Sequence, residues 1–531
     1  MPRPSLTVAS YAAFTAAAAL VCGGVAMAAP AAADPVGGTI VVTSLADTSD
    51  AGTLRSAFEA AENSSGDDVI RIDVTGTIAL ATPLPTITNG GIDVQGPGSD
   101  RLVIVTPFGD LDEPGLTYAP TVAGTARISG LTLTGGGASI VGNFFNLPEE
   151  GDAGIEIVDV VIDGATTEVN RPGLLVDAGL NRASVLVSDS TIKNFPIGSR
   201  SAGAAQIVGA GQVTIEDSTF DNNQSGQISG ALLLLYTEAT TISGSTFSHN
   251  SAPDFGGAVA VISTPSLAVV QSTFSQNESG QTGAALFIAD VADASIAHST
   301  ITGNVDNGTE GSAVTVVGNG LTVDSSIVSG NTGPETSVPD LSRQSQIGLR
   351  AADTSAEVPV QGDTDGEPIA PLIEAAAAEP VAPDSGTVSH SLIGQSRDAF
   401  DPALWTLSAE SIFGVDAQLG PLADNGGNTL THLPAATSPA VNAGDASTLD
   451  GITLDQRSAP RVSGGSVDIG SVEVQAAPIV PAAVVTNAAA RLPDTGFGAE
   501  GALLALARLL VAGVAMLGFG RFGARRSGTS A

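Results

Sequence analysis

The sequence predicts an all-β fold, a single-stranded parallel β-helix that forms a solenoid with about 27 residues per turn. A strand pattern that ends in Ser-Thr or Ser-Ser and a bulky apolar residue recurs in steps of 28, 27, 27, 27 and 26 residues. Gly, Asn and Ser separate the strands, and no helical periodicity lies between them. Strands at a fixed period without crossover helices favour a coil in which each strand pairs with its equivalent one turn later. The bulky positions are Ile192, Phe220, Phe247, Phe274, Ile301 and Ile327.

Two other repeat architectures fit this pattern less well. A β-propeller blade needs about 40 residues, which a period of about 27 cannot supply. A leucine-rich repeat has a similar period, but its Leu-x-x-Leu-x-Leu consensus is absent. The β-helix is therefore the predicted fold.

The regular repeats are predicted to span residues 126–332. In a coil of this kind, equivalent side chains of successive turns stack on each other, so Phe220, Phe247 and Phe274 are expected to stack inside. An Asn ladder is expected at a turn, because Asn tolerates left-handed backbone. Its members are Asn223, Asn250, Asn277, Asn304 and Asn331.

Residues 1–33 are predicted to be a secretory signal peptide. Arg3 precedes an apolar run of small residues, Tyr11 to Ala28, and small-x-small sites place the cleavage after Ala28 or Ala33. A retained membrane helix is the alternative, but the run is short and rich in Ala and Gly. The single cysteine, Cys22, would be removed with this segment.

Residues 34–125 are predicted to hold an N-terminal cap and the first turns of the coil. Leu54, Ala57, Phe58 and Ala61 have the spacing of one helix face, and a short amphipathic helix here would cover the open end of the solenoid. The stretch from Ser44 to Val105 resembles the cap of secreted right-handed parallel β-helix proteins with a CSLREAI-type motif. The match is partial, since Gly and Ser stand where that motif has Cys and Glu. The resemblance implies a right-handed coil.

Residues 333–387 interrupt the repeat with an acidic stretch rich in Pro and Ala, which is predicted to be a disordered insertion. Residues 388–475 resemble the choice-of-anchor module of the same secreted proteins. This resemblance implies a C-terminal β-helix module and a surface location, but no defined reaction. It rests on Ser391–Gly394, Gly420–Asn428, Thr431–His432, Ser438–Gly444, Asp455–Arg457 and Asp468–Gly470.

A short stalk, residues 476–491, precedes the predicted sorting signal, residues 492–531. Leu492, Pro493, Asp494, Thr495 and Gly496 are followed by an apolar run, Ala502 to Phe519, and by three arginines. This order resembles the LPxTG signal of Gram-positive surface proteins. The resemblance implies that a sortase cuts after Thr495 and joins it to peptidoglycan, while the apolar run holds the chain transiently in the membrane. Arg508 departs from the pattern, at a cost of roughly 2.5–3.5 kcal/mol at a helix centre.

Composition excludes several partners and frameworks. The chain has 19 Lys and Arg against 55 Asp and Glu, a net charge of −36, so nucleic acid and anionic membrane surfaces are disfavoured as partners. One cysteine excludes a disulfide framework. A hydrophobic fraction of 43 % argues against disorder of the whole chain.

Polysaccharide cleavage is the enzymatic alternative, because pectate lyases and polygalacturonases are β-helices. A lyase needs a cationic base, and residues 201–342 contain no Lys or Arg. The arginines upstream leave the alternative open for residues 126–200; they are Arg127, Arg171, Arg182 and Arg200. The motifs of polygalacturonases are absent, and the Glu216–Asp217 pair is interpreted as part of a solvated face.

None of the four histidines has a context typical of catalysis. His249 and His298 lie at turn or outward positions of the repeat, whereas His390 and His432 belong to the C-terminal module. No catalytic residue, metal ligand or cofactor is predicted. Calcium in the acidic turns is an alternative that no calcium-binding loop pattern supports.

The sequence therefore predicts a sortase-anchored cell-wall protein that displays a β-helix for adhesion or surface binding. Its expected partners are sortase, peptidoglycan and an extracellular glycan or another cell surface. A wall-displayed polysaccharide lyase or glycoside hydrolase remains the alternative.

Overall fold

The computed structural model describes residues 38–106, 114–147, 152–164, 172–179, 182–196, 202–308, 311–318, 320–334, 340–344, 385–449 and 451–475. The predicted signal peptide, stalk and sorting signal lie outside the described residues. Within the described ranges, no helix is long and apolar enough to cross a membrane.

The chain forms a right-handed parallel β-helix with roughly 27 residues per regular turn, which confirms the predicted fold. Each regular turn contributes one strand to each of three faces, called A, B and C here. All pairings between turns are parallel, because each strand bonds to its equivalent one turn later. Some long strands bend and continue from one face onto the next.

Face A alternates apolar residues that point into the core with polar residues that point outward, as in Val213, Thr214 and Ile215. Its strands are β1 Thr39–Val42, β2 Asp68–Ile72, β4 Ile92–Gln95, the first half of β7 Thr125–Thr134, the first half of β9 Gly154–Asp163, β11 Ser184–Ser188, β14 Gln212–Glu216, β17 Ala239–Ser243, the second halves of β20 Val259–Val270 and β23 Leu286–Ala297, β27 Leu321–Asp324, β30 Gly386–Ser389 and β32 Trp405–Leu407.

Face B carries the bulky positions of the repeat. The rings of Phe220, Phe247 and Phe274 stack with centroids 4.8 and 4.9 Å apart, as predicted. One assignment was wrong: Val328, not Ile327, pairs with Ile301, and Ile327 points outward. The strands are β3 Gly76–Ala79, β5 Leu102–Val105, the second halves of β7 and β9, β12 Thr191–Lys193, β15 Thr219–Asp221, β18 Thr246–Ser248, β21 Thr273–Ser275, β24 Thr300–Thr302, β28 Ile327–Val328, β31 Leu392–Ile393 and β33 Ile412–Phe413.

Face C is apolar on both sides in its central turns. Leu232 and Leu234 point into the coil, while Leu233 and Leu235 point outward into a second apolar cluster. The strands are β6 Leu116–Tyr118, β8 Ile140–Asn143, β10 Leu174–Asp177, β13 Ala205–Val208, β16 Leu232–Leu235, the first halves of β20 and β23, β26 Val314–Val317 and β29 Leu341–Gln344. A small three-stranded sheet lies before this face and contains β19 Ser251–Ala252, β22 Glu278–Ser279 and β25 Val305–Asp306.

The one α-helix among the described residues, α1 Leu54–Glu62, caps the N-terminal end of the coil. The Thr53 side chain accepts a hydrogen bond from the Ser56 backbone N–H, which satisfies a free donor of the first turn. The four predicted apolar residues of the helix are buried in the same cluster as the first strands, which confirms the predicted amphipathic face.

The predicted insertion 333–387 is narrower in the structure. Leu341–Gln344 forms β29 and pairs with β26, while the last residues of the range already belong to β30. The sequence pattern missed these edges because the strands that complete this turn lie on either side of a long stretch of sequence without the repeat motif. Residues 345–384 lie outside the described residues.

After β33 the chain reverses and runs back along the coil. This return segment, residues 414–475, contains the antiparallel hairpin β34 Leu419–Ala423 and β35 Thr431–Pro434 and a short 3-10 helix, Ala446–Thr448. Another 3-10 turn, Arg397–Ala399, precedes it. The return segment ends beside turns that precede it by more than a hundred residues.

Candidate functional site

The Ser and Thr of the repeat motif have separate structural roles. Each Ser lies at the corner between faces A and B, where its Oγ accepts the backbone N–H of the Ser one turn before, as between Ser218 and Ser245 at 3.1 Å. The same Oγ donates to a carbonyl two residues earlier. The Thr points outward from face B.

The return segment covers this Thr row. Thr246 Oγ1 donates to the Leu430 carbonyl at 2.6 Å, and Thr300 Oγ1 accepts the Ser471 N–H at 3.0 Å. Thr273 Oγ1 donates to Gln456 Oε1 at 2.7 Å. These three threonines are at most 1 % exposed, so face B is unavailable for ligands over these turns.

A buried arginine helps to hold the return segment in place. Arg461 is fully buried, and its Nη2 donates to the carbonyls of Asp468 and Gly470 and to His298 Nδ1 at 2.9 Å. Burial and the nearby guanidinium lower the pKa of His298 to about 4. The ring is then neutral, and its Nδ1 can accept the hydrogen bond from Arg461. His298 is therefore a neutral docking residue.

Face C is covered by the loops that enter each turn. Ile228 and Phe255 lie over the outward side of the face, and the Phe255 ring stacks on Phe287 with centroids 5.0 Å apart. The outward side chains Leu233 and Phe287 are fully buried. This face is also unavailable over the regular turns.

Face A stays accessible over the same turns and is the candidate binding surface. Its outward row, which we call the hydroxyl row, contains side chains in register and about 4.8 Å apart from turn to turn. Each is at least partly exposed. The row consists of Thr214, Thr241, Ala268, Ser295, Thr322, Thr387 and Thr406.

The electrostatics of this surface disfavour anionic ligands. Residues 202–308 contain no Lys or Arg, and Glu216 and Asp293 flank the row. Burial and the neighbouring Asp189 and Glu216 raise the pKa of Asp217, at the corner beside the face. A ligand of the hydroxyl row would gain hydrogen bonds from uncharged donors and acceptors.

The arginine-containing turns upstream present a different surface. Arg127 Nη1 lies 2.6 Å from Glu156 Oε2 on face A, and Asp93 is the register neighbour of Arg127 on the other side. Among the other upstream cations, Arg182 contacts Glu238, and Lys193 lies 3.7 Å from Asp163. Arg127 is therefore held in an ion pair with Glu156 on the outward side of face A.

The predicted Asn side chains stack in one continuous hydrogen-bonded row. Asn277 Oδ1 accepts the backbone N–H of Asn250 at 3.0 Å, and its Nδ2 donates to the Phe247 carbonyl at 3.0 Å and to Asn304 Oδ1 at 2.9 Å. Asp340 ends the row by accepting from Asn331. The sequence analysis expected left-handed backbone at each Asn, and this was wrong. The left-handed conformation belongs to the residue before the Asn, such as Gln276 with φ 58°.

The remaining candidate residues lie apart from the hydroxyl row. His249 lies exposed at a turn, with Nδ1 2.9 Å from Asp221 Oδ1. His432 is buried, donates from Nδ1 to the Gly420 carbonyl and accepts from Ser275 Oγ. Trp405 packs in the last turn against Phe400. Arg171 and Arg200 lie outside the described residues, as do Ala28, Ala33 and the pentapeptide from Leu492 to Gly496.

One cluster of side chains with the geometry to hold a metal ion was missed by the sequence analysis. Asp324, His390 and Asp445 each place a ligand atom within 4.8 Å of the others. They are far apart in sequence and match no ligand-spacing motif, so no local signal could have identified them.

Comparison with known proteins supports the fold. A family model described as a right-handed beta helix region matches residues 150–358. Comparison with curated proteins gave no match. The resemblance to a cap, an anchor module and a sorting signal remains a prediction.

Proposed function

We propose that the protein is a non-catalytic surface protein that is joined to the Gram-positive cell wall through Thr495 and binds neutral extracellular glycan along the hydroxyl row. The observation that carries the binding part is the accessibility of face A over turns in which faces B and C are covered. The sorting pattern of the sequence supports the anchoring part.

A repeated row suits a repeated ligand. Six of the seven side chains carry a hydroxyl, which offers one donor and two acceptor positions, and they lie in register from turn to turn, with Ala268 as the interruption. Each contact is weak alone, but many contacts along one extended polymer raise the overall affinity. The absence of cations from residues 202–308 favours a neutral glycan over an acidic one.

Anchoring is tested by Thr495→Ala. Because the acyl bond to peptidoglycan is proposed to form at Thr495, this variant should leave the wall fraction almost completely and appear in the membrane fraction or the medium. Immunoblots of muramidase-released wall and of culture medium measure the distribution. Thr486→Ala, in the predicted stalk, is the matched control and should stay in the wall. Unchanged covalent attachment of Thr495→Ala would refute the anchoring mechanism.

Glycan binding is tested by placing bulk and charge on the row. Thr241→Arg combined with Thr322→Arg should weaken binding of neutral glycans on an array at least tenfold, because both side chains would block the approach of a polymer to the face. Thr437→Arg, at an exposed position of the return segment, should leave binding unchanged.

Two array results would contradict glycan binding along the hydroxyl row. One is equal binding by the double variant and the unaltered protein, and the other is no saturable binding to any neutral glycan. Release of reducing sugar from a bound glycan would instead favour the alternative function, a wall-displayed polysaccharide lyase or glycoside hydrolase.

A further inference from the structure

We propose that Asp324, His390 and Asp445 bind a divalent transition-metal ion that fixes the return segment to the coil. One nitrogen of His390 and one oxygen of each aspartate lie within 4.8 Å of one another. All three residues are partly buried, so the site is shielded yet accessible to an ion from solvent.

The three ligands come from three separate parts of the chain. Asp324 is the last residue of β27, and His390 occupies the corner of the next turn, directly after β30. Asp445 precedes the 3-10 helix of the return segment and is its N-cap. An ion bound to all three would therefore connect two turns of the coil with the return segment.

Hydrogen bonds to neighbouring groups orient the ligands. Asp445 accepts from the backbone and the hydroxyl of Ser447 at 2.8 and 2.7 Å. Asp324 Oδ1 accepts from Ser325 Oγ at 2.7 Å and from Thr448 Oγ1 at 3.1 Å. Such contacts hold metal ligands in position and raise affinity.

The donor set indicates the class of ion. Two carboxylates and one imidazole suit Zn²⁺ and similar first-row ions, whereas Ca²⁺ takes six to eight oxygen ligands. Three protein ligands leave a position for water, as in open zinc sites. Two carboxylates held this close repel each other, and a cation between them removes that repulsion.

Zn²⁺ binding to the purified, tag-free full chain is the test, with isothermal titration calorimetry after dialysis against chelator. We expect one saturable Zn²⁺ site, a rise in Tm on loading and slower proteolysis of the return segment. Asp445→Asn and His390→Asn should each weaken Zn²⁺ binding at least tenfold. Asn suits position 390, where φ is 43°, and Asp445→Asn preserves the acceptor for Ser447.

His249→Asn is the matched control, since His249 pairs with Asp221 away from this cluster and its φ of 53° also suits Asn. This variant should keep the affinity, the Tm shift and the protection from proteolysis. The proposal is overturned by the absence of a saturable Zn²⁺ site or by Ca²⁺ binding more tightly than Zn²⁺. It is equally overturned if both ligand variants bind Zn²⁺ with the affinity of the unaltered protein. It is also overturned if Zn²⁺ loading leaves proteolysis of the return segment unchanged.

Discussion

Asn277→Ala is expected to destabilise the coil by roughly 4 kcal/mol or more, because it leaves several buried polar groups without partners at about 1–3 kcal/mol each. Asn277 satisfies both the backbone N–H and the Nδ2 of Asn250, and it also donates to Phe247 and Asn304. Bulk water does not reach these groups, since Asn250, Asn277 and Asn304 are fully buried. The free energy of unfolding from urea titration measures the loss.

A local measurement is needed as well, because neighbouring turns of a solenoid can unfold separately. Hydrogen exchange at the Asn250 amide should accelerate more than exchange in distant turns. Asn307→Ala is the control: Asn307 donates to Glu278 at the surface, and its loss should change stability by about 0.5 kcal/mol or less. Equal stability of the two variants would show that the Asn row contributes little.

Asp306→Asn is expected to stabilise the protein at pH 8 by an amount on the order of 4 kcal/mol and to have little effect near pH 4. Burial raises the pKa of Asp306 to about 7, whereas the ordinary value is 3.8. Between these values the folded state binds more protons than the unfolded state, so the contribution of Asp306 to stability is lost as pH rises from about 4 to about 7. Asn stays neutral and can still accept the Gly308 N–H at the Oδ1 position.

Urea titrations at several pH values measure this difference. Asp293→Asn is the control, because Asp293 is exposed on face A and its replacement should leave the pH profile of stability nearly unchanged. If the Asp306→Asn variant and the unaltered protein differ by the same amount at pH 4 and pH 8, Asp306 does not titrate in this range.

The local pattern carried much information about the fold. A side chain that recurs every 27 residues meets its own equivalent in a parallel coil, so the repeat itself defines the pairing of Phe220 with Phe247 and of Asn250 with Asn277. The spacing of Leu54, Ala57, Phe58 and Ala61 likewise defines one buried helix face. These features depend on residues close in sequence or related by the period.

The sequence assigned the wrong inward-pointing residue where the period of the repeat was irregular. The step from Ile301 to Ile327 counts 26 residues, but the structure pairs Ile301 with Val328, which restores the usual step. Ile327 then points outward and packs with Ala440 and Ile469 of the return segment. Both residues are apolar, so only their neighbours in space distinguish the inward position from the outward one.

Which surfaces of the coil are exposed depends on contacts with residues outside the repeats. Thr246 and Thr241 look alike in sequence, and both point outward from a strand. Thr246 is buried because Leu430 lies over it, whereas Thr241 remains accessible on face A. The covering residues lie outside the repeats and share no pattern with them.

The sequence by itself determined the coil, its period, its capping helix, its internal rows and the acidic character of its surface. These follow from side-chain type at fixed spacing, since burial and hydrogen bonding repeat once per turn. Only the tertiary structure decided which of three faces stays open and which distant groups, such as Asp324, His390 and Asp445, meet. The physical reason is that the return segment docks through contacts between residues more than a hundred positions apart, which a local period does not encode.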